Sequence, residues 1–197
     1  MSAKSTLIST GLPGVSVLDY VVFSRVKDAT GGRLKLCFNG SGPVSKETQR
    51  FISTAICPML SGYGLTETSA IGAIMDPLQW TVDALGELPG CVEAKLVDFP
   101  DAGYFTANSP PQGEIWIRGH SVAEGYLDLP QETEESFADG WFKTGDIGEW
   151  DSKGQLKIID RKKNLVKTLN GEYIALEKVR LQPPRPPHVR WKLPPVS

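Results

Sequence analysis

Val15, Leu18, Val22 and Val26 recur three or four positions apart, the spacing of one face of an amphipathic helix, and Gly31-Gly32 supplies its stop. Leu34, Leu36 and Phe38 then alternate with Lys35 and Cys37 as in a strand, and Asn39-Gly40-Ser41-Gly42-Pro43 breaks the alternation. Ser45 is placed to cap a helix whose apolar face is Phe51, Ile52, Ala55 and Ile56. Pro58 ends that helix before a second strand over 60–63. The pattern is a βαβ unit, so its two strands are expected to be parallel. Ligands in open α/β sheets sit at the carboxyl ends of such strands, and the loops over 39–42 and 64–67 are therefore expected to face one crevice.

After Asp76 the pattern shortens. Strands are predicted at 95–97, 114–117, 142–144, 147–150 and 156–159, with Asp151-Ser152-Lys153-Gly154 as the turn before the last. A short acidic helix over 132–137 carries a solvated face. This texture predicts a small, mostly antiparallel β subdomain attached to the α/β unit. From Arg180 onward Pro183, Pro184, Pro186, Pro187, Pro194 and Pro195 rule out a helix or a central strand. The tail reads as disordered, with a P-x-x-P ligand for an SH3-like domain as the alternative.

Composition narrows the function classes without choosing one. The 197 residues are 40% hydrophobic, an ordinary value for a chain that buries a core. Their 21 Lys+Arg against 23 Asp+Glu give no electrostatic reason to expect nucleic acid or an anionic membrane as main partner. Cys37, Cys57 and Cys91 are odd in number and form no C-x-x-C pair, which indicates neither a disulfide framework nor a zinc site and favours a reducing compartment. No apolar run has signal-peptide length after Met1, and none approaches the roughly eighteen residues of a membrane span.

The local chemistry concentrates in four segments. Tyr63-Gly64-Leu65-Thr66-Glu67-Thr68 ends a strand with a hydroxyl beside a carboxylate, the pair needed to bond a phosphoryl oxygen and hold Mg²⁺ against it. A surface turn with a helix cap would look the same. Asn39, Gly40, Ser41 and Gly42 allow backbone to approach a flat ligand, although a plain tight turn has this composition too. Asp146, after Lys143-Thr144-Gly145, could accept from sugar hydroxyls while Arg161 donates from the neighbouring strand. Each taken singly is more often an exposed charge, and Lys162, Lys163 and Lys167 read as a solvated basic face.

Together and in order, these segments resemble the adenylate-forming superfamily of acyl-CoA synthetases, luciferases and peptide-synthetase adenylation domains. The finer similarity is to fungal-type long-chain acyl-CoA synthetases. It is carried by Gly31-Gly32-Arg33-Leu34-Lys35, the run 56–68, Gly113-Glu114-Ile115-Trp116-Ile117-Arg118-Gly119, Trp141-Phe142-Lys143-Thr144-Gly145-Asp146 and the run 159–178. The resemblance implies an α/β fold: the distal part of the adenylate-forming large domain over 1–160, a hinge and the start of the C-terminal domain over 161–179, and a non-family tail over 180–197. By the same resemblance Asn39, Gly40, Ser41 and Gly42 lie against adenine, Tyr63 and Gly64 sit near the base, and Thr66 meets the AMP phosphate. Glu67 would be the magnesium ligand, Asp146 and Arg161 would hold the ribose, Lys163 would be the hinge, and Lys167 and Gly171 would face the nucleotide and pantetheine.

The implied reaction joins ATP, a fatty acid and CoA into acyl-CoA, AMP and pyrophosphate through acyl-AMP, with Mg²⁺ as metal and CoA as co-substrate. The implied setting is the cytosolic face of intracellular membranes, with peripheral association at endoplasmic reticulum, lipid droplet or peroxisome and no specific protein partner. The superfamily's Ser/Thr/Gly-rich loop ending in Lys-Gly and its late bridging lysine have no counterpart in the 197 residues, which leads us to expect an incomplete and inactive piece. Two alternatives stay open: an adenylating ligase for another carboxylic acid, and a non-catalytic nucleotide-binding fragment.

Overall fold

The computed structural model describes residues 23–167 and 173–175. Val15, Leu18 and Val22 lie outside these residues, as do Gly171, the side chain of Lys167 and the proline-rich tail. The chain enters as α1 (Ser24–Ala29) and stops where Gly31 and Gly32 take φ of 87° and 67°, backbone suited to glycine. Gly32 N–H closes the cap on the Lys27 carbonyl at 2.9 Å.

The expected βαβ unit is present: β1 (Cys37–Asn39), α2 (Lys46–Ala55) and β2 (Met59–Tyr63), with β1 and β2 parallel and Asn39 opposite Ser61. Ser45 caps α2 by accepting from the Thr48 N–H at 3.0 Å. Two details depart from the hydrophobic pattern. The first strand begins only at Cys37, and Leu34, Leu36 and Phe38 are exposed; among the described residues β1 pairs only with β2. Phe51 is also exposed, whereas Gln49 is buried at 3%. Its amide donates to the Met59 carbonyl at 3.1 Å and to Ser61 Oγ at 3.2 Å, so a polar residue fastens the helix to β2.

β3 (Ala73–Ile74) returns antiparallel to β2 and completes a three-stranded mixed sheet. The rest is antiparallel, as expected: β4 (Val92–Val97), β5 (Gln112–Gly119), β6 (Phe137–Ala138), β7 (Trp141–Trp150) and β8 (Leu156–Arg161). The order is β4-β5-β7-β6, with β8 also pairing with β7. The strands predicted at 142–144 and 147–150 are one bulged strand, and the acidic helix is α3 (Pro130–Ser136). A short hairpin follows, β9 (Leu165–Lys167) with β10 (Tyr173–Ala175).

One core joins the two main sheets. Tyr63 and Ala73 from the first pack with Val92, Ile115, Ile117 and Leu156 from the second. The backbone of 84–87 stitches them further, since Leu156 N–H donates to the Gly86 carbonyl and Glu87 N–H to that of Ile74. Ile117 is fully buried, and its replacement by alanine is expected to lower stability by about 2–5 kcal/mol. Ile74→Ser, at a half-exposed position, should change it by less than about 0.5 kcal/mol. Urea denaturation midpoints of the two variants measure the difference.

Candidate functional site

The site grows from the turn after β2. Gly64 packs so closely on the backbone of Ala70 that an added Cβ would lie 2.2 Å from the Ala70 carbonyl carbon and oxygen, so only glycine fits there. The Thr68 hydroxyl, fully buried, accepts from Leu65 N–H at 3.0 Å and fixes the helical turn Thr66–Thr68. Ser69 and Ala70 then take left-handed φ of 52° and 63°, which turns the chain back into β3. The result presents Thr66 to solvent and leaves Glu67 half-buried.

The decisive contact joins three strands. Tyr63 donates its hydroxyl to Asp146 Oδ2 at 2.8 Å, and Arg161 Nε lies 2.9 Å from Asp146 Oδ1. Asp146 is 3% exposed, and burial raises its carboxyl above the ordinary carboxylate range despite the Tyr63 hydrogen bond and the Arg161 charge. Burial also raises the Tyr63 phenol, with the neighbouring Asp146 charge acting in the same direction. Two irregularities make the contact possible. Along β7, residues 144–146 bulge out against β5, where Gly145 takes a φ of 71°. Along β8, Ile159 is an extra residue, for the register runs Gly148↔Ile158 and then Ile147↔Asp160. A regular ladder would set Asp146 opposite Asp160; the bulge sets it opposite Arg161 instead.

A cleft of about 350 Å³ opens beside this triad, and its walls include Asn39, Ser41, Gly42, Tyr63, Gly64 and Arg161. Asn39 Nδ2 donates to the Gly42 carbonyl at 3.1 Å, which closes the glycine-rich loop on itself. Asp146, Lys163, Thr66, Glu67 and Gly40 are not among the cleft walls, so Asp146 meets the cleft only through Tyr63 and Arg161. Glu67 faces the segment around Tyr126, whose hydroxyl donates to Glu67 Oε1 at 2.6 Å. Lys163 is exposed in the turn Lys162–Asn164 that leaves β8.

The sequence pattern missed several groups here. Tyr126 had no signal, since an aromatic hydroxyl in a loop is ordinary. Gln49 and the Lys46–Asp83 ion pair also line the cleft, and Gln49 could be found only by asking why an amide interrupts a helix's inner face. Among the described residues no cluster of three or more His, Cys, Asp or Glu could form a metal cage. Cys37, Cys57 and Cys91 are free. A carboxylate held by Tyr63 and Arg161, both of them walls of a glycine-edged cleft, suits a flat ligand carrying a vicinal diol.

Residues 12–127 match the family described as AMP-binding enzyme. The chain is 52% identical over 185 residues to long-chain-fatty-acid--CoA ligase 2 of Schizosaccharomyces pombe, covering 92% of this chain and 27% of that protein. It is 54% identical over 169 residues to long-chain-fatty-acid--CoA ligase 1 of Saccharomyces cerevisiae, covering 85% and 24%. The chain thus spans about a quarter of the length of these relatives. Among solved structures, the A domain of a carboxylic acid reductase from Segniliparus rugosus, in complex with AMP and a co-purified carboxylic acid, superposes with a TM-score of 0.66 at 32% identity. That superposition covers 89% of this chain and 27% of the other. O-succinylbenzoate coenzyme A synthetase from Bacillus subtilis shares the fold, with a TM-score of 0.63 at 24% identity over 80% and 33% of the two chains.

The raised carboxyl of Asp146 has a stability consequence. A group whose folded pKa lies above its unfolded one opposes folding when ionised, so its penalty is full above the folded pKa and is relieved as pH falls through it. Asp146→Asn is therefore expected to melt no lower than the parent near about pH 7. Any advantage should vanish as the pH falls toward about 4, the ordinary carboxylate range. Thermal melts of both proteins across that range test the sign.

Proposed function

The chain belongs to the AMP-binding enzyme family, and on that premise we propose that it forms the nucleotide-binding portion of a long-chain fatty-acid:CoA ligase. The observation that carries the proposal is the Tyr63–Asp146–Arg161 contact at the edge of the glycine-lined cleft. The identity of about half its residues to fungal long-chain ligases favours a fatty acid over other carboxylic acids as the second substrate.

In this reading adenine enters between the loop of Asn39, Gly40, Ser41 and Gly42 and the ring of Tyr63. Asp146, held still by Tyr63, keeps lone pairs for the ribose hydroxyls, and the Arg161 guanidinium has donors beyond its Nε. Thr66, exposed at the next turn, offers its hydroxyl to the α-phosphate. A fatty carboxylate oxygen attacks the α-phosphorus, and the bond to pyrophosphate breaks. The CoA thiolate then attacks the acyl carbonyl and AMP leaves. Orientation and neutralised phosphate charge account for most of the acceleration expected of such a site.

Glu67 suits a nucleotide-borne Mg²⁺, because it is one carboxylate with one oxygen taken by Tyr126, and such an ion draws its other ligands from phosphates and water. When bound, that ion would draw charge off the phosphates. Tyr126 orients the carboxylate meanwhile. The domain assignment is part of the same proposal: residues 1–160 in the large domain, and 161–179 starting a small domain that turns about Lys163 between the half-reactions. Lys167 and Gly171 would approach the nucleotide and pantetheine after that turn.

AMP titrated calorimetrically into the purified chain should bind weakly. Asp146→Ala should weaken it by about tenfold or more, the loss expected for charge-assisted hydrogen bonds; an unchanged affinity rejects the ribose assignment. With ATP, Mg²⁺, palmitate and CoA the same chain should release no palmitoyl-CoA, for want of the Lys-Gly phosphate loop. In a full-length ligase carrying residues 23–175, Glu67→Ala should chiefly slow ATP–pyrophosphate exchange. Lys163→Pro should spare that exchange and slow thioester formation from acyl-AMP. Equal losses in both steps for both variants contradict the division of roles.

A further inference from the structure

The loop between β4 and β5 is unusually well fastened. Phe99 and Tyr104 exchange backbone hydrogen bonds of 2.8 and 3.2 Å, and Asp98 Oδ1 accepts from both Thr106 N–H and Thr106 Oγ1 at 2.7 Å. This stiff loop reaches the segment that follows β8 from two directions. Tyr104 donates its hydroxyl to Asp160 Oδ2 at 3.1 Å, while Asp160 Oδ1 accepts from Arg161 N–H at 2.8 Å. The Lys162 ammonium lies 4.8 Å from the centre of the Phe99 ring and 3.2 Å from Glu114 Oε2. Glu114 is 6% exposed, and Trp116 Nε1 donates to the same oxygen at 2.9 Å. Beyond Lys163, β10 rests against the turn Pro100–Ala102 of this same loop.

Lys162 is therefore not the solvated lysine its sequence neighbourhood suggests. Its departure would leave Glu114 buried without a cation, and an uncompensated buried charge strongly opposes that state. Lys163, one residue on, is exposed in the turn Lys162–Asn164. The chain is gripped immediately before Lys163 and again at β10 beyond it.

We infer that the 98–106 loop, with Glu114 of β5, is a brace for the hinge: Tyr104 on Asp160 and Glu114 on Lys162 hold the chain immediately before Lys163, the turn Pro100–Ala102 meets β10 beyond it, and together they set which orientation of the small domain is favoured. Tyr104, Lys162 and Glu114 are positioning residues, and the inference rests on the hinge reading above. Removing the brace moves the balance between the two orientations, so it moves the two half-reactions in opposite directions instead of slowing both.

The test is a Tyr104→Phe/Glu114→Gln double variant in a full-length ligase carrying residues 23–175, beside Lys163→Pro in the same background. ATP–pyrophosphate exchange reports adenylation, and thioester release from preformed acyl-AMP reports the second step. The ratio of the two rates is expected to shift by about three- to tenfold in the double variant, the equilibrium worth of an ordinary hydrogen bond. Amide hydrogen exchange over 160–167 should quicken in parallel. An unchanged ratio in the double variant, with Lys163→Pro still splitting the two rates, overturns the brace and leaves the hinge standing. An unchanged ratio in both removes the hinge and the brace with it. A parallel fall in both rates together with a lower melting temperature makes the contacts merely structural and also overturns the inference.

Discussion

A buried carboxylate shared by three strands organises this fold. Asp146 comes from β7, its hydrogen-bond donor Tyr63 from β2 of the other sheet, and its cation Arg161 from the end of β8. Burial alone would disfavour the charge, so the arrangement persists only if donor and cation are both in place. That contact joins the mixed sheet to the antiparallel one together with the shared apolar core of Tyr63, Ile115, Ile117 and Leu156. The stability lost by burying Asp146 is the counterpart of having an oriented acceptor at the edge of a cleft, a familiar opposition between stability and function.

Much of this was legible in the chain. The alternation around Cys37, the Ser45 cap and the run ending at Tyr63 carry the βαβ unit because each local preference agrees with the global fold. The antiparallel part was legible for the same reason, since strands with one buried face write their period into the sequence. The residues that failed were those whose burial is decided from outside their own element. Phe38 and Phe51 look like core positions, but exposure depends on what else covers a strand and a helix flank. Gln49 looks like a surface amide and is buried where it can donate to the Met59 carbonyl, shared with Trp80 Nε1, and to Ser61 Oγ.

The site was legible as a set of residue types and not as a geometry. Asp146 and Arg161 announce a carboxylate and a guanidinium, yet their pairing depends on one extra residue in β8, and no periodicity in Leu156–Arg161 marks Ile159 as that residue. Likewise Glu67 is visible, whereas its partner Tyr126 lies fifty-nine positions away in a loop with no pattern of its own. Local rules reach about as far as a strand or a helical turn. Bulges and cross-loop hydrogen bonds answer to tertiary contacts.

The same bulge couples the cleft to the segment beyond it. Because β8 gains one residue at Ile159, Arg161 falls opposite Asp146 while its neighbour Asp160 remains buried at 4% against Tyr104. Side chains along a strand alternate in direction, so Asp160 and Arg161 point to opposite sides at the end of β8. In that short run Asp160 and Lys162 engage Tyr104, Glu114 and Phe99, Arg161 engages Asp146, and both Asp160 and Arg161 line the cleft. A ligand that drew Arg161 toward itself would therefore pull on the same peptide that carries Asp160 and Lys162. The Arg161 edge of the cleft and the exit from β8 thus belong to one strand end.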